Sequence, residues 1–160
     1  MPTSVTRRKS PIDAPTARVG LAVQYACRAN DLPDRAWLRR RVAKAARRDL
    51  TVVLRFVDVA EGRRLNREYR GRDYATNVLT FVYELSKAHA AGDIVICVPV
   101  LRREAREQGK SFAAHCTHLL VHGVLHLQGY DHETDRQARA MERLETEIVT
   151  SFGYDKPYLH

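Results

Sequence analysis

Residues 122–132 read HGVLHLQGYDH, and the spacing of the three histidines in that run organises the reading of the whole chain. A helix over residues 112–128 places His122 and His126 four apart, on one face and about a turn from each other, where both reach one ion. Gly129 is then the left-handed residue that ends the helix, and the chain turns back over Tyr130 and Asp131 to bring His132 to the same point. Three nitrogen donors with a vacant fourth position describe a site for one Zn2+, or for another divalent transition metal that accepts imidazole, with an activatable water. His115 and His118 lengthen the stripe and compete as ligands. His118 lies eight residues from His126, about 12 Å along a helix axis, so those two cannot share an ion. A structural role, or a role behind the ligands, is favoured for both. The alternative is a chance gathering of half-buried polar histidines on one helix.

The pattern H-x-x-x-H-x-x-G-x-x-H is shared with a large class of zinc peptidases, in which a glutamate after the first histidine serves as general base. Here that residue is Gly123, which takes no proton. The metal site is kept while the group that peptide hydrolysis needs is missing. Cys116, six residues before His122, points about 240° around the helix from it and reads as a packed thiol rather than a fourth ligand.

A chain of 160 residues with 44% apolar content reads as one soluble domain. Its apolar runs are far too short to span a membrane, and no apolar stretch with a cleavage site follows the basic N-terminus, so a cytoplasmic location is expected. Cys27, Cys97 and Cys116 are odd in number and scattered, as reduced thiols are. Residues 1–50 hold 12 Lys and Arg against 4 Asp, while residues 51–160 hold 15 cations against 15 anions. That asymmetry suits a polyanion such as nucleic acid, and equally suits a solvated helix face with a loose tail.

Residues 1–16, with three prolines among small and basic residues, are expected to form a mobile tail ahead of a single domain over 17–160. A half-buried strand is predicted at 18–26, and a helix at 34–48 with Leu38, Val42, Ala45 and Ala46 inward. Arg40, Lys44 and Arg47 line another face of that helix and are the candidate RNA contacts. An interior strand follows at 51–59, then a short helix ending at Gly71, strands at 77–83 and 93–98, and a helix opened by Pro99 and closed by Gly109. Ser111 caps the histidine helix. Thr134 and Gln137 form a capping box for the last helix, whose stripe is Ala138, Met141, Leu144 and Ile148. Four strands among several helices without strict alternation make the fold class α+β: a small mixed sheet packed with helices, one of them a zincin-like metal helix.

Several blocks together resemble one known family. HLLVHGVLHLQGYDH at 118–132 is similar to the signature of the YbeY-type endoribonucleases, metal-dependent ribosomal RNA maturation factors of bacteria, and LNREYRGRDYATNVLTF at 65–81, GDIVI at 92–96 and EQGKSFAAHCTHLLVHG at 107–123 extend the likeness from about residue 50 onward. The resemblance implies a zinc-dependent endoribonuclease of single-stranded RNA, acting in small-subunit ribosomal RNA processing and ribosome quality control, with the small ribosomal subunit as partner. It implies metal ligands at His122, His126 and His132, and a functional arginine at Arg70. The chain departs from the family's strand pattern at Ala75, Asn77 and Thr80, where proline, aspartate and serine are usual, and Asn77 cannot act as a base.

Phosphodiester cleavage needs a positioned nucleophile, neutralised non-bridging oxygens and help for the leaving alkoxide. Arg70 offers a bidentate hold on phosphate where lysine would be a point charge; the plain alternative is that it answers the dipole of the helix it ends. Asp131 either orients a ligand ring from behind or caps the following helix. Asp93 either reaches the site or caps a strand turn. Tyr69, Tyr74 and Tyr83 are available for base stacking, although aromatic residues at such positions more often belong to a core. The rival functions are a zinc-dependent peptidase or amidohydrolase, and a non-catalytic ribosome-associated module whose metal is structural.

Overall fold

In the computed structural model, which describes residues 17–158, the elements follow as β1 (Val19–Ala26), α1 (Arg35–Ala45), β2 (Asp49–Val57), α2 (Val59–Arg70), β3 (Val78–Leu85), β4 (His89–Cys97), α3 (Val98–Glu107), α4 (Phe112–Leu127) and α5 (Asp135–Ser151). The tail expected at 1–16 lies outside the described residues. One mixed sheet has the order β1-β2-β4-β3, with β1, β2 and β4 parallel and β3 antiparallel at the edge beside β4. The α+β class is therefore as expected.

Local signals account for most boundaries. Ser111 Oγ accepts from Ala114 N, and Thr134 with Gln137 closes both halves of the capping box on α5. Gly71 and Gly109 carry positive φ just past α2 and α3. Two boundaries differ from expectation for tertiary reasons. α1 stops at Ala45 because Ala46 turns extended and buried Gln128 takes over: its Nε2 donates to Ala45 O at 3.0 Å and its Oε1 accepts from Arg47 N at 2.7 Å. β4 begins at His89 rather than Asp93, since pairing to β2 and β3 on both sides overrides the weak strand preference of Ala90, Ala91 and Gly92.

α4 is the centre of the molecule, packed against α1, α3, α5, β3 and β4. From His115 to Leu127 it is buried all round except at His118, His122 and His126, a single i, i+4, i+8 stripe. Its close approach to the sheet depends on Gly123: a Cβ there would lie 3.1 Å from Ile94 Cγ2. On the facing strand Gly92 is tighter, since a Cβ would fall 2.1 Å from Phe81 O and 2.5 Å from Leu127 Cδ1. Arg41 ties α1 to α4: buried over the Trp37 ring, it donates from Nε to Thr117 Oγ1 at 2.9 Å.

The two glycines differ in what gives way. Gly92→Ala drives a methyl into backbone, and a loss of at least about 2 kcal/mol is expected from overpacking. Gly123→Ala meets a side chain that can shift and gains about 1 kcal/mol of helix preference, so its net change should stay within about 1 kcal/mol. Urea unfolding of both variants measures this, and equal losses would contradict it.

Candidate functional site

α4 delivers His122 and His126 to one wall of an open cleft, and the turn beyond it delivers a third ring. Gly129 takes φ 94°, Tyr130 N donates back to Leu125 O at 3.2 Å, and His132 follows on the loop before α5. The ring centres of His122 and His126 are 6.4 Å apart, those of His122 and His132 5.9 Å, and those of His126 and His132 6.2 Å. Arg70, Asn77, Val78, Thr80, Asp131 and Glu133 complete the lining of a cleft of about 460 Å³.

Two of the rings are fixed from behind. Glu145 on α5, fully buried, accepts from His122 Nδ1 at 2.7 Å through Oε1; its Oε2 accepts from His118 Nε2 at 3.0 Å and from the Tyr158 hydroxyl. Burial by itself would raise this carboxyl, but the hydrogen bonds from His118, His122 and Tyr158 outweigh it and hold Glu145 down at about 2. An ionised carboxylate only accepts, so both histidines donate to it. His126 Nδ1 donates to Tyr130 O at 3.1 Å. The Nε2 lone pairs of His122 and His126 are left for the cleft. His132 is held more loosely: its side chain is 61% exposed, against 28% for His122, and its Nδ1 lies 3.9 Å from Asp131 Oδ1.

Among the described residues no three His, Cys, Asp or Glu side chains are already drawn in to coordinating distance. A zinc-bound imidazole has its centre roughly 3 Å from the metal, so three ligated rings stand roughly 5–5.5 Å apart. The observed triangle is wider by on the order of 1 Å, which modest χ rotation closes. With two Nδ1 atoms already donating to oxygen, the donor set fits a divalent transition metal.

The remaining candidates separate clearly. Arg70 ends α2 beside αL Gly71 and lines the cleft, while Asp73 is occupied by Arg63 at 2.8 Å and by Arg67 at 3.9 Å. Asp131 lines the cleft and accepts from His132 N at 2.7 Å; the cap of α5 is Thr134. Asp93 is not at the site. It shares its strand parity with Val95 and Cys97, whose cluster lies on the α2 face of the sheet, and it accepts from Tyr83 OH at 2.5 Å. His118 stands behind His122 on Glu145. Arg40 is exposed on α1, Lys44 is half-buried, and the Arg47 guanidinium donates to Lys44 O at 3.0 Å and Ala46 O at 3.1 Å, covering carbonyls that the helix end leaves open. Burial draws the Arg47 pKa down. Tyr69, Tyr74 and Tyr83 are exposed. Cys116 lies in the core, and burial pushes its thiol up to about 12.

Sequence reasoning missed Glu145 and Glu104. Glu145 is four residues after Met141 and three before Ile148, a charged residue on the apolar stripe of α5, which was the available signal. Glu104 Oε1 accepts from Asn77 Nδ2 at 3.1 Å and from His115 Nε2 at 2.9 Å. The amide of Asn77 thus meets a carboxylate, where an aspartate would face like charge.

The family model described as Endoribonuclease YbeY matches residues 30–153. Proteins named Endoribonuclease YbeY are similar along nearly the whole chain: that of Aromatoleum aromaticum is 53% identical, covering 89% of this chain and 94% of its own length. That of Nitrosomonas europaea is 48% identical, covering 99% and 98%. In fold, the chain is similar to the solution structure of TM1509 from Thermotoga maritima, with a TM-score of 0.52 at 23% identity, over 87% of this chain and 100% of that one.

His115 yields a pH prediction. Its pKa is lowered from 6.5, burial outweighing the bond to Glu104. The stability this neutral ring contributes is complete above the unfolded value and is lost as pH falls toward the lower folded value, where the unfolded chain takes up more protons. Thermal melts at pH 7.5 and pH 5.5 should show a larger acid loss for the wild type than for His115→Gln; equal losses would remove the assignment.

Proposed function

Because the chain belongs to the endoribonuclease YbeY family, we propose that it is a metal-dependent endoribonuclease that cleaves single-stranded RNA in the cleft between α4, β3 and the end of α2. The observation that carries this reading is a solvent-open cleft where three imidazoles and one arginine converge. His122, His126 and His132 would hold one zinc ion, or nickel, manganese or iron in its place, making α4 a zincin-like metal helix. Bound there, the ion supplies an activated water and Lewis-acid polarisation of a phosphoryl oxygen.

The chain's own residues do the rest. Arg70 reaches the cleft from the end of α2 and grips a phosphate through two parallel N–H groups, matching charge that grows in the transition state. Glu145 and Tyr130 O hold His122 and His126 by their Nδ1 atoms, so both rings meet substrate in a set orientation. Thr80 and Val78 form the β3 wall beside the reacting phosphate. Arg40, exposed on α1, is the best placed of the three basic candidates to meet RNA outside the cleft. Family membership supports ribosomal RNA of the small subunit as substrate, in maturation and quality control. Among the described residues no helix is long and apolar enough to cross a membrane, and a cytoplasmic site of action accords with that substrate.

A peptidase reading has less support, since Gly123 is buried against Ile94 and any side chain placed there meets the sheet rather than the cleft. A purely structural metal is disfavoured by the openness of the site and by the burial of Cys116 away from it.

Metal content and cleavage of an unstructured RNA test the assignment. His126→Ala should lose both metal and cutting. Arg70→Ala should keep the metal and cut at least about 100-fold more slowly, the scale of losing one preorganised charge-stabilising donor. Wild-type cutting by Arg70→Ala would remove its role, and cutting that survives loss of the metal would remove the metal reading.

A further inference from the structure

We propose that Glu145 is a positioning residue that selects the Nδ1–H tautomer of His122 and aims its Nε2 lone pair into the cleft. The inference rests on the metal reading above and deepens it. Glu145 lies on the core-facing stripe of α5 with Met141 and Ile148, and its relative exposure is 0%. Withdrawing a carboxylate from water this completely is strongly unfavourable unless donors replace the lost hydration. An apolar side chain would pack on the same stripe without that cost. The donors that replace water here are specific: His122 Nδ1 at 2.7 Å on one oxygen, and His118 Nε2 at 3.0 Å with the Tyr158 hydroxyl on the other.

These contacts assign distinct tasks. A carboxylate has no proton to give, so the His122 ring must carry its own proton on Nδ1, the tautomer that free imidazole side chains populate less. The bond also fixes the ring about χ2, leaving its Nε2 on the cleft side of α4. His118, one turn nearer the N-terminus, and Tyr158, beyond α5, hold the carboxylate from its far side. Glu145 touches neither the cleft nor a substrate, and it acts through His122 alone. In contrast to His122, His126 takes its orientation from a main-chain carbonyl, Tyr130 O, which no side-chain substitution removes.

Two measurements on the 160-residue chain test this. The first is long-range 1H–15N NMR of the ring nitrogens in zinc-free protein, which reads tautomers directly. The second is zinc affinity by competition with a chromophoric chelator, with thermal melts of every variant. The wild type should show His122 protonated on Nδ1. Glu145→Leu should shift it toward the Nε2–H form and weaken zinc binding by about 10–100-fold. Glu145→Gln, whose amide oxygen still accepts from Nδ1, should keep the tautomer and lose less affinity, so the proposal stands on this variant should Glu145→Leu fail to fold. Tyr158→Phe should leave the tautomer unchanged. An Nε2–H ring in the wild type overturns the proposal. So does wild-type zinc affinity in both Glu145 variants when His126→Ala has lost it, a result that leaves the metal reading intact. A wild type that binds zinc no better than His126→Ala removes the metal reading itself, and the NMR arm still decides what Glu145 does to His122.

Discussion

The seating of α4 on the sheet at Gly123 is the constraint on which the site depends. With no side chain at that position, the helix settles onto Ile94 and Val78, and its buried leucines and valines fill the main core. Each fully buried aliphatic side chain contributes roughly 1.5–3 kcal/mol, so the six buried leucines and valines of α4 hold it far more firmly than any surface contact could. The rotation of α4 about its axis is thereby set. Once Gly123 faces the sheet, the stripe of His118, His122 and His126 has only the flank beside β3 and α5 to occupy.

The contacts of α4 with the helices around it are polar in an ordered way. Three buried or half-buried polar groups meet α4 from other elements: Arg41 at Thr117, Glu104 at His115, and Glu145 at His118 and His122. Each is a charge that would be costly if left alone, and each is answered by hydrogen bonds to another element. Apolar packing alone tolerates small slips of a helix along its groove. Directional bonds at three successive heights do not, and they define the level at which the histidines emerge.

Much of this was legible in the sequence where the signal is local. The caps at Ser111 and Thr134, the stop at Gly71, the turn at Gly129 and the inward stripe of α1 all follow from residues within one or two turns of each other. The failures share a cause as well. α1 ends early because Gln128, 83 residues from Ala45, takes over its terminal carbonyl. Asp93 looked available to the site, yet its strand parity sends it to the α2 face, and parity is decided by the pairing of β4 with both neighbours. Glu145 sits 23 residues from His122. No periodicity in a single chain links a carboxylate to an imidazole across that gap, and only the breach of an apolar stripe by a charged residue hinted that something inside would answer it.

The edge strand β3 has a further consequence. It pairs with β4 on one side only, and beyond Val82 it runs exposed, with Val82, Tyr83 and Leu85 open to solvent. An exposed edge of this kind is a template on which a second copy can add a strand. The register slips between Val82 and Glu84, and such a bulge increases local twist and breaks the even spacing of amide and carbonyl groups. The irregularity falls past Thr80, so the straight part of the strand remains alongside the cleft while the outer part is spoiled as a partner for self-association. One misfit residue thus makes the outer part of this edge a poorer template for a second copy.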